Sequence, residues 1–360
     1  MKVIQVIPTL NLAGAERMCE NLSIELKRQG IEVVVVSLFS CHTAISYKLE
    51  REGIKVIFLN KKPGLDLKII MVLTKIIKSE RPDVLHTHIH AIQYAIPAAI
   101  LAGVKKRVHT VHSVADREAT PRKQKINYFF YHKCNVIPVA LSNEVKETII
   151  ARYNLPDNQI PVINNAVDLN KCIKKIEYSS SGSNIVFLHI GRFNEVKNHK
   201  MLIEAFKAVH DKWEKTKLQL IGEGNLESEV KDLIDNLGLN DCVELLGLID
   251  NVFPYLNNAD VFVLPSIYEG MPMTLIEAMG TGLPIIASNI GGIPTMIQSN
   301  IEGLLIQLNI EELVSAMMQM QDTHLRMKFG INAYNKAHNV FTVENMAKKY
   351  IDIYHEKFEG

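Results

Sequence analysis

ADVFVLPSIYEGMPMTLIEAM, residues 259–279, divides into a strand, a loop and a helix. The β-branched and aromatic run VFVL predicts the strand, a proline ends it, and LIEAM predicts the helix. Glu269 then lies on the loop and Glu277 lies inside the helix, eight positions later. Between them, the backbone N–H groups of the helix N-terminus point outward, a geometry that holds phosphate without any side chain. The spacing of the two carboxylates therefore suits a sugar nucleotide.

Short strand-like runs alternate with longer amphipathic stretches along the whole chain, which is the pattern of βαβ units around parallel sheets. Six strands are predicted in the first half, at residues 3–7, 32–38, 55–59, 84–88, 107–111 and 136–141. Six more are predicted in the second half, at residues 185–190, 218–221, 243–246, 261–264, 284–287 and 303–306. We therefore predict an α/β protein of two doubly wound, Rossmann-like domains that face an interdomain cleft, with ligands at the loops after the strands.

The boundary between the two domains is predicted from a polar segment, KCIKKIEYSSSGSN at residues 171–184, which has the composition of a surface loop or linker. We assign residues 1–168 to an N-terminal domain and residues 169–341 to a C-terminal domain. The last part of the chain, about residues 342–360, predicts a helix that packs by one face back toward the first domain. Its apolar face consists of Met346, Tyr350, Ile351, Ile353, Tyr354 and Phe358.

Composition excludes several classes of protein. With 47% hydrophobic and 22% charged residues, the chain has the make-up of a soluble globular protein. Its best candidate for a membrane span, residues 92–104, is short and is interrupted by Pro97 and Gly103. The N-terminal MKVIQVIP is typical of a first strand and not of a signal peptide. Five cysteines without a C-x-x-C pair argue against a disulfide framework and a zinc site, so we expect a cytoplasmic protein.

Charge is distributed unevenly, although the net charge is only +1. The chain before residue 165 contains 23 basic and 14 acidic residues, whereas the remainder contains 17 basic and 25 acidic residues. The densest basic segment surrounds the aromatic run YFFY, residues 128–131, with Arg117, Arg122, Lys123, Lys125 and Lys133. This pattern suits an anionic membrane surface or a lipid-linked phosphate, and we expect no nucleic-acid partner. The alternative is a solvated helix whose aromatic side chains pack inward.

A pair of cations follows the strand predicted at residues 185–190. GRFNEVKN, residues 191–198, places a glycine at the turn and separates Arg192 from Lys197 by five positions. Arginine offers a planar fork to phosphate oxygens, and lysine offers a compact point charge. Together the two cations can hold a diphosphate as negative charge develops on it, although an arginine and a lysine near a helix start are often only solvated.

These motifs together resemble those of glycosyltransferase family 4, whose members are retaining enzymes with the GT-B fold. The resemblance rests on Gly191-Arg192 followed by Lys197 and on Glu269-x7-Glu277, and it covers nearly the whole chain. It is strongest over residues 185–303, including GEG at 222–224, LGL at 246–248 and SNIGGIP at 288–294. Within the family the chain is most similar to bacterial enzymes of capsule, exopolysaccharide and lipopolysaccharide assembly. The resemblance implies an acceptor-binding first domain and a donor-binding second domain.

The resemblance assigns roles to the charged residues of the second half. Arg192 and Lys197 would clamp the donor diphosphate, Glu269 would contact hydroxyls of the transferred sugar, and Glu277 would hold the ribose. For each glutamate, the alternative is a carboxylate at a helix start, favoured by the helix dipole. The neighbouring loops would complete the donor site through Gly14, Gly191, Glu223, Leu248, Ile249, Gly270, Met271, Met273, Thr274 and Leu275, with the amides of the last two at the diphosphate.

In the first half, family members often carry two adjacent glycines after the opening strand, whereas this chain has Ala13-Gly14. We expect Gly14 to retain the phosphate contact and the loop to be stiffer, because alanine rarely adopts a positive φ. His112 ends another strand at the position where the family places a histidine facing the transferred sugar. His109 has the wrong strand parity to share that face.

His86, His88 and His90 alternate along one predicted strand, and three imidazoles on one face could bind zinc. The same segment resembles a family strand end that needs no metal, where His88 approaches the acceptor. The chain has no D-x-D triplet, and the two cations and the helix amides can replace Mg²⁺ at the diphosphate. We therefore expect neither a metal nor a cofactor. The acceptor-side residues expected are His88, Arg117, Arg122 and Lys123.

We predict retaining transfer of a sugar from a nucleotide diphosphate donor, a UDP-sugar on family grounds, to a hydroxyl of a glycan or lipid-linked glycan in surface polysaccharide synthesis. The protein would act in the cytoplasm or peripherally at the inner membrane face. No carboxylate suited to double displacement is obvious, so we expect same-face attack with the leaving phosphate as proton acceptor. The alternatives are a GT-B nucleotide-sugar epimerase, a glycan phosphorylase, or a non-catalytic nucleotide- or glycan-binding protein.

Overall fold

The alternating runs of the sequence form two parallel six-stranded sheets, one in each half of the chain. The computed structural model describes residues 1–180 and 182–355. Each of the twelve predicted strands is present, and its observed ends lie within two residues of the predicted ends. The predicted α/β class with two doubly wound domains is therefore confirmed.

The first unit comprises Met1–Ala166 and the segment that begins at Val343. Its strands, in the sheet order β3-β2-β1-β4-β5-β6, are β1 (Lys2–Ile7), β2 (Glu32–Ser37), β3 (Lys55–Phe58), β4 (Val84–His88), β5 (Lys106–Val111) and β6 (Val136–Ala140). Its helices include α1 (Gly14–Arg28), α2 (Ala44–Arg51), α3 (Lys68–Glu80), α4 (Ile92–Ala102), α5 (Ala115–Glu118), α6 (Pro121–Lys133) and α7 (Asn143–Tyr153). The strand order reverses between β1 and β4, so the loops after these strands lie at a topological switch point.

The second unit, Val167–Thr342, repeats this topology. Its strands, in the order β12-β11-β10-β7-β8-β9, are β7 (Ile185–Ile190), β8 (Thr216–Ile221), β9 (Val243–Leu245), β10 (Val261–Leu264), β11 (Ile285–Ser288) and β12 (Gly303–Ile306). Its helices are α8 (His199–His210), α9 (Glu227–Asn236), α10 (Phe253–Asn258), α11 (Met273–Thr281), α12 (Ile293–Met296), α13 (Ile310–Gln319) and α14 (Thr323–Val340). Here the switch point lies between β7 and β10, the strands that precede the two cations and Glu269.

The last helix, α15 (Val343–His355), belongs to the first unit and packs against α1. Met346, Tyr350 and Tyr354 on its apolar face are buried. Phe358 and the rest of the helix expected after His355 lie outside the described residues. The helix thus adds aromatic side chains to the first unit from a distant part of the chain.

The chain passes from one unit to the other between Ala166 and Val167, two residues before the assigned boundary. Residues 171–180 of the polar segment form a surface loop of the second unit. Within it, the Tyr178 hydroxyl donates to the Gly282 carbonyl oxygen at 2.8 Å, and Ser179 Oγ donates to Asp260 Oδ1 at 2.6 Å. These bonds fix the segment on the second unit, so it is not a free linker.

Both faces of each sheet are covered, as expected for parallel strands. In β1, Ile4 and Val6 join one buried cluster, whereas Val3 and Ile7 join another that includes Tyr350. Side chains alternate across a strand, so this division places helices on both faces of the first sheet. Among the described residues, no helix combines the length and the apolar character needed to cross a membrane.

Candidate functional site

The loops after β7 and β10 meet at the switch point of the second unit. Lys197 Nζ lies 2.5 Å from Glu269 Oε1, and the Ser266 hydroxyl donates to the same oxygen at 2.8 Å. The Ile267 amide also donates to the Val196 carbonyl oxygen at 2.7 Å, so the backbones of the two loops are joined. Two residues singled out in the sequence, 72 positions apart, therefore form an ion pair of which each side chain is less than one-fifth exposed.

Glycines let the loops after β7 and β8 touch through their backbones. A Cβ atom on Gly222, whose φ is +142°, would lie 2.0 Å from the Gly191 carbonyl oxygen. A Cβ on Gly224 would lie 2.2 Å from the Phe193 carbonyl oxygen. Between them, the carbonyl oxygen of Glu223 accepts a hydrogen bond from the Phe193 amide at 2.9 Å. The GEG sequence is thus required for loop packing that sets the backbone beside Arg192.

The loop after β11 supports Glu269 from the other side. A Cβ on Gly291, whose φ is +56°, would lie 1.9 Å from the Glu269 carbonyl oxygen, and the Gly292 amide donates to that oxygen at 3.1 Å. Ser288 Oγ donates to the Ser266 carbonyl oxygen at 2.7 Å. The family resemblance includes SNIGGIP but implies no role for it. Its two adjacent glycines were the available signal.

Helix α11 begins directly after this loop, at Met273, with Pro272 in an extended conformation before it. The N–H groups of Met273 and Thr274 lie in the first turn, where no carbonyl group of the helix can accept from them, so they are available to an anion. The Leu275 amide differs, because it donates to the Pro272 carbonyl oxygen at 3.2 Å. Glu277 follows one turn after Met273 and is partly buried. Met273 and Thr274 therefore carry the first amides that a phosphate could reach, and Leu275 would have to give up its turn hydrogen bond to contact phosphate.

The remaining predicted donor residues differ in exposure. Arg192 and Glu223 are exposed, and Leu248 is 54% exposed beside a partly buried Ile249. Gly270 is partly buried, and Met271 is buried. The backbone of this part of the chain is anchored, because the Gly222 amide donates to the Gly247 carbonyl oxygen at 2.9 Å. The strand-end loops after β7, β8 and β9 thus form one hydrogen-bonded row.

Two buried histidines under the Arg192 loop were missed by the sequence reasoning. His189 lies on β7 with its Nδ1 2.9 Å from the Val263 carbonyl oxygen, and its ring is 4.8 Å from that of His199. A Cβ on Gly191 would lie 2.9 Å from His189 Nε2. Burial lowers the pKa of both imidazoles, that of His199 to about 4, so both are neutral at neutral pH. Two neutral, buried imidazoles therefore lie close to Lys197.

In the first unit, histidines from β4 and the end of β5 join a buried polar network. His88 Nδ1 lies 3.1 Å from His112 Nε2, and His88 Nε2 lies 2.7 Å from Gln5 Oε1. His88 has no exposed surface, whereas His112 is partly exposed. The buried His88 ring therefore contacts His112 and has no surface open to an acceptor, which differs from the expected approach of His88 to the acceptor. Burial lowers the pKa of His112 to about 3 and that of His88 well below its usual value.

The zinc alternative does not fit these histidines. His86 uses Nδ1 toward the Tyr354 hydroxyl at 2.8 Å and Nε2 toward Thr110 Oγ1 at 2.7 Å. β4 ends at His88, so His90 lies in the following 3-10 turn and does not continue the alternation. Within residues 1–180 and 182–355, no group of three His, Cys, Asp or Glu side chains has the geometry of a metal site.

Glu118 is a further residue that sequence reasoning missed. Its carboxyl group accepts hydrogen bonds from the backbone N–H groups of His112 and Ser113, and burial raises its pKa to about 8. His109 Nε2 lies 3.8 Å from Glu118 Oε1, on the other side of the strand from His88. Glu118 therefore holds the loop that carries His112, although the sequence shows it only as one acidic residue in a basic segment.

Helix α1 begins at Gly14, which is exposed, and Ala13 before it has φ −135°. The loop does not require a positive φ at residue 13, so alanine fits there without strain. The amide groups of the first turn at Gly14 remain the candidate phosphate donors of this unit. Among the acceptor-side residues, Arg117 and Arg122 are exposed and Lys123 is partly buried, on α5 and α6.

Comparison with known proteins decides the family. Residues 12–171 match the family profile described as "Glycosyltransferase Family 4", and residues 173–336 match that described as "Glycosyl transferases group 1". A UDP-Gal:α-D-GlcNAc-diphosphoundecaprenol α-1,3-galactosyltransferase of Escherichia coli is 33% identical over 307 residues, 80% of this chain and 79% of that protein. The chain belongs to glycosyltransferase family 4.

The relatives of this family 4 glycosyltransferase include proteins named for different reactions. The N-acetyl-α-D-glucosaminyl L-malate synthase of Bacillus anthracis is 28% identical over 315 residues, covering 82% of this chain and 80% of that protein. Among solved structures, Anabaena HepE in complex with UDP and glucose has a TM-score of 0.85 and 19% identity, with 98% of each chain covered. The likeness to HepE supports the GT-B fold of the family 4 enzyme.

Proposed function

We propose that this glycosyltransferase moves a sugar from a UDP-sugar to a hydroxyl of a lipid-linked glycan, with retention of the anomeric configuration. The contact between Lys197 and Glu269 beside the first turn of α11 carries this proposal. It joins a cation, a sugar-binding carboxylate and free amides at one switch point. The name of the Escherichia coli relative, which includes UDP-Gal and a diphosphoundecaprenol acceptor, supports the donor nucleotide and the acceptor class.

The geometry supports electrostatic stabilisation of the leaving diphosphate as the main catalytic effect. Lys197 and the exposed Arg192 supply positive charge, and the amides of Met273 and Thr274 supply hydrogen bonds that need little reorganisation. Because the Lys197 ammonium group also binds Glu269, a bound diphosphate and the carboxylate would share it. The site therefore neutralises developing charge without a metal ion.

The same geometry gives Glu269 a positioning role. Its Oε1 accepts from both Lys197 and Ser266, which makes it a weak nucleophile and a well-oriented acceptor for sugar hydroxyls. Retention by double displacement requires a carboxylate free to attack the anomeric carbon. We therefore propose attack on the face from which the diphosphate departs, with a phosphate oxygen taking the proton of the acceptor hydroxyl. An NMR analysis of the product that shows an inverted anomeric centre would disprove retention.

Substitution of Lys197 by alanine tests the central part of the proposal. Transfer is expected to fall about 10²- to 10³-fold, because a preorganised charge at the leaving group is lost. Lys200→Ala is the matched control, since Lys200 is only three positions away on α8 but is 77% exposed. Circular dichroism should show both variants folded. Near-normal transfer by Lys197→Ala would remove the proposal, and heat stabilisation of the protein by individual nucleotide sugars would identify the donor.

We also propose that the first unit docks on an anionic membrane surface where a lipid-linked acceptor resides. On α6, Phe130 and Tyr131 are buried, but Tyr128 is 46% and Phe129 is 55% exposed. The inward-packing alternative therefore explains only half of the aromatic run. Helix α4, which contacts α6, carries the exposed Leu101, and α3, which packs on α4, carries the exposed Met71. Basic residues flank both in the sequence. Aromatic and basic side chains together favour an anionic interface, with about 1 kcal/mol contributed by each lysine near the surface.

Vesicle co-sedimentation tests this surface. Binding should be stronger to phosphatidylcholine vesicles that contain phosphatidylglycerol than to pure phosphatidylcholine, and it should weaken in Phe129→Ser. Tyr47→Ser is the control, because Tyr47 is 55% exposed on α2 of the same unit. Equal binding to both kinds of vesicle would remove the membrane proposal and leave the transfer reaction unaffected.

A further inference from the structure

Gln5 lies at the buried end of the network that leads to His112. Its side-chain amide donates from Nε2 to Ser23 Oγ at 2.7 Å, and Ser23 Oγ in turn donates to the Cys19 carbonyl oxygen at 2.7 Å. The Ser23 hydroxyl hydrogen is therefore already used, so Ser23 can only accept from Gln5. Cys19 Sγ, 3.5 Å from Gln5 Oε1, also contacts the amide oxygen as a donor. Both neighbours fix the same orientation of the Gln5 amide, with Oε1 toward His88.

This orientation fixes the protons on both histidines. Gln5 Oε1 can only accept, so His88 Nε2, 2.7 Å away, must carry the hydrogen. Both imidazoles are neutral, and a neutral ring carries only one N–H, so His88 Nδ1 is a bare acceptor. His112 Nε2, 3.1 Å from His88 Nδ1, must then be the donor. His112 is thereby left with its lone pair on Nδ1.

We infer that Gln5 and His88 are positioning residues that hold His112 as the Nε2–H tautomer, with Nδ1 as the acceptor for a hydroxyl of the transferred sugar. The inference rests on the proposed function and on the position of His112, where the family resemblance implies a histidine that faces the transferred sugar. Strand register explains the contact: β1 pairs with β4 so that Gln5 is opposite His86, and β4 pairs with β5 so that His88 is opposite Thr110. Alternation then places Gln5, His88 and His112 on one face of the sheet.

The arrangement also explains a burial gradient. Gln5 and His88 have no exposed surface, whereas His112 is partly exposed. Of these three residues, only His112 is reached by solvent, so only His112 is able to contact a ligand. An acceptor nitrogen of fixed identity favours a substrate hydroxyl as donor and disfavours a substrate group that can only accept. The hydrogen bonds from Gln5 through His88 to His112 would therefore contribute to the choice of sugar, although Gln5 does not contact the substrate.

The tautomer of His112 can be measured directly by long-range ¹H–¹⁵N correlation on protein labelled with ¹⁵N-histidine. A His112→Gln variant assigns its signal among the 13 histidines of the chain. We expect the Nε2–H pattern in the native protein and a mixture of tautomers in Gln5→Leu, which removes the acceptor for His88. Tyr350→Phe is the control, because it disturbs the buried network at Thr110 and does not touch Gln5 or His88. Its His112 signal should be unchanged.

Transfer kinetics complete the test. Gln5→Leu is expected to lower kcat/KM about 10-fold, the effect of one misdirected hydrogen bond to substrate, while Tyr350→Phe leaves kcat/KM near the native value. A native Nδ1–H tautomer, or an unchanged tautomer in Gln5→Leu, would overturn the inference. A tautomer that depends on Gln5 together with unchanged transfer would instead overturn the proposed contact of His112 with the sugar. The two failures are therefore distinguishable.

Discussion

Backbone packing holds the loops of the second unit together, whereas side-chain hydrogen bonds hold the strand ends of the first. In the second unit, Gly222 and Gly291 allow carbonyl oxygens to approach closer than any Cβ would permit. In the first, His86 is bonded to Thr110 and to Tyr354, which come from β5 and from the last helix. Close backbone contact requires glycine at fixed places in a short stretch. A side-chain network can draw its members from anywhere in the chain.

The two units should therefore differ in how they respond to amino-acid substitution. A backbone contact fails when any side chain is added, so the second unit should tolerate almost no change at Gly222, Gly224 and Gly291, where an added Cβ would meet a carbonyl oxygen. A hydrogen-bond network loses one partner at a time, with a cost of about 1–3 kcal/mol for each buried group left unsatisfied. Substitutions in the first unit should therefore act in smaller steps.

The largest expected effect is that of Gly222→Ala. An added Cβ would overlap the Gly191 carbonyl oxygen at 2.0 Å, and the φ of +142° is itself unfavourable for alanine. We expect a loss of roughly 3 kcal/mol or more in the free energy of unfolding, together with loss of nucleotide binding. Gly238→Ala is the control, because Gly238 has φ +65° but nothing within 4 Å of an added Cβ. Denaturant unfolding and UDP titration by calorimetry measure both quantities. Similar losses in the two variants would show that strain, not loop contact, explains the GEG sequence.

The contrast also explains what the sequence could predict. All twelve strands followed from β-branched runs, because parallel strands buried on both faces are nearly continuous apolar segments. Lys197 and Glu269 were found because each belongs to a short motif at a strand end, and the fold then places them in contact. Their motifs consist of a strand end, a turn and a helix start, and these local backbone features can be predicted from a short stretch of sequence.

The network of the first unit could not be predicted in the same way. Gln5 lies in an apolar strand, and Glu118 lies in a basic segment, so neither belongs to a motif. Their roles depend on strand order and register, which place residues far apart in the chain at one position. The strand pattern gave the correct parity for His88 and His112 but not the partners that bury His88. Tyr354 could be assigned to a docked helix face, but the histidine it meets could not be foreseen.

Glu118→Gln should have the next largest effect, and it depends on pH. The pKa of Glu118 is raised to about 8 by burial, so the folded state prefers the protonated carboxyl. A raised folded-state pKa means that stability is fully present below the pKa of the unfolded chain and is lost as pH rises through about 8. The native protein should therefore lose roughly 3 kcal/mol relative to Glu118→Gln between about pH 5 and pH 8.

The nearby His109 imidazole does not relieve this cost, because its Nε2 lies 3.8 Å from Glu118 Oε1, too far for a hydrogen bond, and burial lowers its pKa to about 3, so the ring is neutral. Thermal unfolding of both proteins across this pH range measures the difference. Parallel pH profiles of Tm would show that Glu118 is already ionised in the folded state. Glu144→Gln serves as the control, since the pKa of Glu144 is also raised by burial but its carboxyl group does not hold the His112 loop.

Tyr354→Phe should have a smaller effect, about 1–2 kcal/mol, because it leaves His86 Nδ1 buried without its partner at 2.8 Å. Tyr47→Phe is the matched control, since Tyr47 is 55% exposed. Chemical denaturation followed by circular dichroism measures both. A loss in Tyr354→Phe no greater than in Tyr47→Phe would mean that α15 is held by apolar contact alone, and the first unit would then resemble the second in depending little on side-chain hydrogen bonds.

The smallest expected change is that of Gly14→Ala. Unlike Gly222 and Gly291 of the second unit, Gly14 has no positive φ, and nothing lies within 4 Å of an added Cβ. Alanine is also the better helix former, so unfolding stability should change by less than about 1 kcal/mol, in the stabilising direction. The KM for the donor then isolates the proposed amide contact with phosphate. A raised KM at unchanged stability would show that an approaching ligand requires the space at Gly14. An unchanged KM would show that the donor phosphate does not approach Gly14, and the phosphate contacts would then come from the second unit alone.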